Sequence, residues 1–274
     1  MIYDTGAAGS GAMPCSVSLS RPAPPGSPSA AIAQYLNDPI GVQAFSSAAG
    51  ADSPTWSFWP ESTDMDLSWQ LAGGVARAQG GVDAVILQYS NEQFTSEDAN
   101  CTLWGVSTAP SAAPFKPLWR ASVAHCDVVG PQVANYNSMP STAITADGAT
   151  LVASLVVRGA QTLMGWEVAS GRQLYAAPTP GGSYGVALSG NGQWALVASD
   201  DGNGGRSAWA YSTATGKQRG TSGCRLEWNA APALSDDGAV IAAGHQNGMT
   251  LCAWDEGSGA YGQAVRVDMP ARGE

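Results

Sequence analysis

The chain is poor in charge, in lysine and in histidine, and each shortage removes a class of function. Only 12% of its 274 residues are charged, about half the usual share for a globular protein. Lys116 and Lys217 are its only lysines, and His125 and His245 its only histidines. With a net charge of −10 and no run of Lys or Arg, the surface would repel a phosphate backbone, so nucleic acid and anionic membrane are not expected partners. Two histidines leave little for a Ser-His-Asp hydrolase or a histidine-based metal centre. No run of about 18 apolar residues is present, so no membrane insertion is expected. Residues 1 to 30 have neither a basic start nor an apolar core, so no signal peptide is visible. Met1-Ile2-Tyr3-Asp4 reads as the middle of a strand, which points to a truncated start and leaves the compartment unassigned.

Cysteine is also scarce. Cys15, Cys101, Cys126, Cys224 and Cys252 lack the short spacings of a metal site or a redox pair. The odd number leaves at least one thiol free, and we expect small buried residues here rather than a disulfide framework. Asn100-Cys101-Thr102 is a formal glycosylation sequon, a triplet that also arises by chance.

Glycine is abundant, at 34 residues, and proline is frequent, at 17, while 44% of the chain is apolar. That composition is enough to bury a core and suits short strands joined by tight turns. The organising pattern is a repeat. Ala143-Ile144-Thr145-Ala146-Asp147-Gly148, Ala187-Leu188-Ser189-Gly190-Asn191-Gly192 and Ala233-Leu234-Ser235-Asp236-Asp237-Gly238 share one order of residue types, and an apolar run follows each. Leu151, Leu196 and Ile241 lie 45 residues apart, as do Ala153, Ala198 and Ala243. An aromatic then stands five residues before a glycine, as Trp166 with Gly171, Tyr211 with Gly216 and Trp254 with Gly259; Phe45 with Gly50 fits the same count. Between second and third strands sit Arg158-Gly159, Asn203-Gly204-Gly205 and Asn247-Gly248, the chemistry of primed hairpin turns. Each repeat therefore reads as a four-stranded antiparallel meander. Inner strands carry small and aliphatic residues, while the aromatics fall on third and fourth strands, so the ten Trp are expected to be mostly core.

Earlier repeats are less regular. Val17 to Ser20, Ala30 to Tyr35 (a strand or a helical turn), Val42 to Gly50 (a strand with its turn) and Thr55 to Trp59 form the first. The second has Gly80-Gly81 at its turn, then strands at Ala84 to Tyr89, Cys101 to Trp104 and Pro117 to Val123. Gln263 to Val267 reads as the last fourth strand.

This pattern resembles the β-propeller class that includes WD-repeat, YVTN-type and quinoprotein-like blades, over residues 15 to 268. Trp166-Glu167-Val168-Ala169-Ser170-Gly171-Arg172 and Trp254-Asp255 look like third-strand endings of WD repeats, although the His of a WD-type triad is missing from most repeats. The docking motif of quinoprotein-like blades is matched at Ala210 and Thr215-Gly216-Lys217, with Ser212 in place of its Asp and Gly220 in place of its Trp. Gly165 to Tyr175 follows the same motif with Glu167, Ser170, Gly171, Arg172 and Tyr175 as conservative replacements. The resemblance implies that these positions staple one blade to the next. It implies an all-β propeller with repeats of about 15–60, 61–124, 139–177, 183–223 and 229–268, flanked by a partial strand or tail at 1–14 and a tail at 269–274. We expect five blades or an incompletely closed ring, whose open edge would pair readily with another chain.

Residues that carry chemistry are few. His125-Cys126-Asp127 reads as a loop ahead of a Cys-His pair. Asp200-Asp201-Gly202-Asn203 has oxygen ligands for calcium without the alternation of a binding loop, and reads as a hairpin turn. Asp236-Asp237 belongs to the repeat turn, and His245 is read as a hairpin residue. Glu61, Asp64 and Asp66 form an acidic loop suited to a cation or a basic peptide, and more ordinarily to water. No catalytic or metal-binding residue is assigned and no cofactor is expected. The expected function is a non-enzymatic scaffold presenting loops such as Ser90 to Asn100 and Ala124 to Pro140 to a protein or peptide. The alternative is a quinoprotein-like or lactonase-like enzyme with a ligand or metal at the axial funnel.

Overall fold

A computed structural model describes residues 14–19, 30–35, 41–46, 56–58, 67–79, 81–90, 100–107, 117–127, 142–180, 183–200, 205–220, 223–226, 231–245, 248–262 and 265–268. These residues form strands and turns, arranged as five antiparallel sheets, each built from strands consecutive in the chain. The first sheet runs Pro14–Leu19, Ala30–Tyr35, Gly41–Ser46 and Trp56–Phe58, so the segment at 30 to 35 is a strand and not a helical turn. The second runs Leu67–Gln79, Val82–Ser90, Asn100–Val106 and Trp119–Ala124. The third comprises Thr142–Ile144, Thr150–Val157, Ala160–Glu167 and Gln173–Pro178. The fourth comprises Ser183–Leu188, Trp194–Asp200, Arg206–Ser212 and Cys224–Leu226. In the fifth, Ala231–Leu234, Val240–His245 and Gly248–Asp255 are followed by an outer strand in two pieces, Ala260–Tyr261 and Val265–Asp268.

The chain divides into two units. One holds residues 1–127 with 147–149 and 168–172; the other holds 128–146, 150–167 and 173–274.

The repeat turns explain their own sequence. Ser235 Oγ accepts a hydrogen bond from the Val240 amide at 2.9 Å and donates to Asp237 Oδ1 at 2.7 Å. The same Asp237 oxygen accepts from the Ala239 amide at 2.9 Å. Ser189 and Asn191 make the matching set with Trp194 and Gln193 in the fourth sheet, and Thr145 receives the Thr150 amide in the third. Each loop thus satisfies its backbone donors locally, which is why a hydroxyl and an Asp or Asn recur at fixed spacing. The glycine that ends each turn has positive φ, at 74°, 72° and 72° for Gly148, Gly192 and Gly238, a conformation that costs other residues about 1 kcal/mol or more. The hairpin at Arg158-Gly159 has φ of 51° and 75°, a primed turn with arginine in the place that asparagine holds in the other repeats.

Alternation along the strands gives the fourth sheet two packing faces. Ala195, Val197 and Tyr211 of the fourth sheet pack with Val152, Leu163 and Tyr175 of the third. The opposite set, Leu196, Ala198, Ala208, Ala210, Cys224 and Leu226, packs with Ile241, Ala243, Cys252 and Tyr261 of the fifth. The 45-residue series Leu151, Leu196 and Ile241 is fully buried.

Tryptophan departs from expectation. Trp166 is core, with 1% of its surface exposed, whereas Trp104, Trp119, Trp194, Trp209 and Trp254 are only half-buried. Several of these rings cover a turn or an arginine, which leaves one edge in water.

Candidate functional site

Beyond their shared core, the third and fourth sheets are clasped by Tyr175. Tyr175, on the outer strand of the third sheet, lays its ring over Gly165 of the adjacent strand and over Gly216, in the turn beyond the third strand of the fourth sheet. A Cβ at either glycine would overlap the ring, and Gly216 also has φ of 68°. Burial pushes the Tyr175 hydroxyl well above its ordinary pKa, and that hydroxyl has no hydrogen-bond partner among the described residues. Within the first unit Trp119 is placed in the same way, over Gly105 and Gly171, and its Nε1 donates to the Val168 carbonyl at 2.7 Å.

The fourth and fifth sheets meet differently. Gly220 stands where the ring would be, against Trp254 and the Gly259 carbonyl. Arg219, one residue earlier, places its guanidinium 4.5 Å from the Trp194 ring centroid and 4.4 Å from that of Trp254. One of its terminal nitrogens donates to the Gly238 carbonyl at 2.6 Å, which also accepts from the Tyr261 hydroxyl at 2.8 Å. A disulfide between Cys224 and Cys252 ties the outer strand of the fourth sheet to the third strand of the fifth.

Meanders of consecutive strands stacked face to face are the construction of propeller blades. The fold is a β-propeller. Comparison with solved structures agrees: 447 chains align with it. A crystal structure of a eukaryotic initiation factor covers 92% of this chain and 55% of that chain, at 14% identity and a TM-score of 0.52. The complex of KlAtg21 with the coiled coil of AgAtg16 covers 86% of this chain and 67% of that one, at 7% identity and a TM-score of 0.51. Identities this low show the propeller fold alone, and the chain spans about half the length of the initiation factor chain. No protein-family model matches the sequence, and no curated protein matches it either.

Among the described residues, the four paired cysteines and Asp236, Asp237 and Asp255 are engaged in structural contacts. His125 is an exposed turn residue with φ of 52°, between Trp119–Ala124 and the short strand Cys126–Asp127. Cys126 is bonded to Cys101, so no Cys-His nucleophile forms there. Asp236 lies against Gly190 of the neighbouring repeat turn, and its carbonyl accepts from the Asn191 amide at 3.1 Å. Asp237 serves its own turn, where the Ser235 hydroxyl and the Ala239 amide hold its carboxyl below the usual range. Asp255 is lowered in the same way by the Ser258 hydroxyl and the Gly257 amide. Among the described residues, no three His, Cys, Asp or Glu side chains converge on a metal position. Glu61, Asp64 and Asp66, residues 91–99, 128–141 and 201–203, and the side chains of Asp200 and His245 lie outside the described residues.

The cysteine expectation is corrected. Four of the five are paired, as Cys101–Cys126 and Cys224–Cys252, with Cα separations of 5.3 and 5.7 Å. They are buried as expected, but packing between strands of different sheets brings residues 25 and 28 positions apart within bonding reach. Linear spacing does not reveal that proximity. Sequence reasoning also missed Trp119 and Arg219. Trp119 follows Gly105 at a longer interval than Tyr175 follows Gly165, which hides their equivalence. Arg219 was overshadowed by Gly220, the residue at the motif's aromatic place.

Proposed function

We propose that this propeller is a non-enzymatic scaffold that presents loops to a protein or peptide partner. The supporting observation is where its polar and aromatic side chains are spent. Ser189, Asn191, Ser235 and Asp237 bond within their own turns, and Tyr175, Arg219, Trp194 and Trp254 are engaged between sheets. Recognition then falls to the connections, of which Ser90 to Asn100 and Ala124 to Pro140 are long. The net charge of −10 favours a partner segment rich in Lys or Arg.

The test replaces residues 91–99, and separately 128–139, by Gly-Ser linkers of equal length. Binding to a panel of basic peptides is then read by fluorescence anisotropy. Loss of binding in one replacement with an unchanged melting temperature supports the scaffold; a panel that binds nothing, or binds all forms equally, counts against it. The second reading, a ligand or metal at the axial funnel, draws support from the Tyr175 clasp, whose place matches the quinoprotein-like docking motif. Native mass spectrometry before and after a chelator decides it: a stoichiometric ion or cofactor lost on treatment moves the assignment to that reading.

A further inference from the structure

Arg219 and a sulfur bridge both cross the junction between the fourth and fifth blades. Gly220 has no side chain of its own to offer, and the Trp254 indole of the fifth blade lies where one would stand. The apolar filling sets Leu196, Leu226, Ile241 and Tyr261 beside Ala198, Ala208, Ala210, Ala243 and the two cysteines, and the small members bury little area. Beyond it, all four residues of the outermost strand Val265–Asp268 are exposed. Cys224 and Cys252 are each 1% exposed, and their bond is the covalent link between the two blades.

We propose that docking of the fifth blade is conditional on oxidation: the Cys224–Cys252 bond clasps residues 231–268 onto the fourth blade, and the chain matures where a disulfide donor operates. The chemistry is thiol–disulfide exchange with the disulfide of a dithiol carrier. One cysteine thiolate attacks a carrier sulfur and displaces the other carrier thiolate. The second cysteine thiolate then attacks the protein sulfur of the mixed disulfide and releases the carrier as a dithiol. Two electrons pass to the carrier, which takes up the two protons the cysteines lose. Because both sulfurs are buried in the finished fold, exchange precedes closure of the junction or requires the fifth blade to open. The clasp is therefore set during folding and is kinetically protected afterwards.

Hydrogen exchange read by mass spectrometry on the full chain, with and without dithiothreitol, tests this. On reduction, amides in 240–245 and 248–255 are expected to exchange about a hundredfold faster, while those in 150–157 and 160–167 change by less than about tenfold. A double variant, Cys224→Ser with Cys252→Ser, reproduces the effect without reductant, and Cys101→Ser with Cys126→Ser does not. Should the first variant fail to fold, the comparison of reduced with oxidised wild-type chain stands alone. Unchanged protection, or equal loss in every blade, overturns the proposal. Alkylation under denaturing conditions adds a second readout. The oxidised chain is expected to label at one of its five cysteines, and labelling at all five overturns it.

Discussion

Tyr175 and Arg219 lie near equivalent places on successive blades, yet one holds its neighbour by the bulk of a ring and the other by a charge between two indoles. The tyrosine clasp rests on shape. It needs glycine on both sides of the ring, hides a hydroxyl that no described residue satisfies, and is indifferent to salt. The arginine clasp rests on electrostatics and donors: two cation–π faces, a charge-assisted bond to the Gly238 carbonyl, and a disulfide nearby. One fold thus closes similar joints by different physics, and the two joints respond to different perturbations.

The largest expected effect comes from breaking the shape of the first joint. Gly216→Val combines a positive φ with a side chain that overlaps the Tyr175 ring, and should cost about 4 kcal/mol in chemical denaturation. A loss below about 1 kcal/mol would show that the ring moves aside freely. Next, Arg219→Ala removes both indole contacts and a donor to Gly238 and should cost about 2 to 3 kcal/mol. Arg219→Lys should recover less than half of that, because an ammonium lacks the planar face that lies between Trp194 and Trp254. An equal recovery by lysine would reduce the clasp to simple charge.

A smaller effect of opposite sign is expected at Tyr175. Tyr175→Phe deletes a buried hydroxyl without a partner among the described residues and keeps the ring, so stability should rise by about 1 kcal/mol. A loss would reveal a bond that the hydroxyl makes in solution. The smallest effect separates the repeat turns of the two blades. Asp237 has a lowered carboxyl pKa in the folded chain, so its contribution is present above the unfolded value of about 4 and disappears as pH falls through the folded value. Asn191 occupies the same place in the fourth blade without a charge. Asp237→Asn should therefore keep the turn while flattening the fall in melting temperature below about pH 4. An unchanged acid limb would place the titration elsewhere.

What the sequence disclosed, and what it hid, follows the range of each interaction. The repeat turns were readable because Ser235, Asp237 and Gly238 act on one another within a few residues. The second strands were readable because Leu151, Leu196 and Ile241 keep a constant interval into the core. Tyr175 was legible as a staple because its strand keeps the motif's spacing. The disulfides and the Arg219 sandwich join residues on different strands, and no local pattern encodes them. Tryptophan was misjudged for a related reason: its size suggests burial, but Trp194 and Trp254 spend a face on a cation at the rim of a joint. The candidate site was the least legible part, since the long loops vary without a repeat to align them.

The meander order of the strands has a consequence for synthesis. Each sheet pairs segments that leave the ribosome one after another, so a blade can complete its hydrogen bonds without waiting for distant sequence. Its clasp cannot: Tyr175 has no seat until Gly216 has been made, and Cys224 has no partner until Cys252 follows. The nascent chain therefore always carries one finished blade with an uncovered face. Its exposure to wrong partners passes along the molecule with translation, and is greatest for whichever blade was made last.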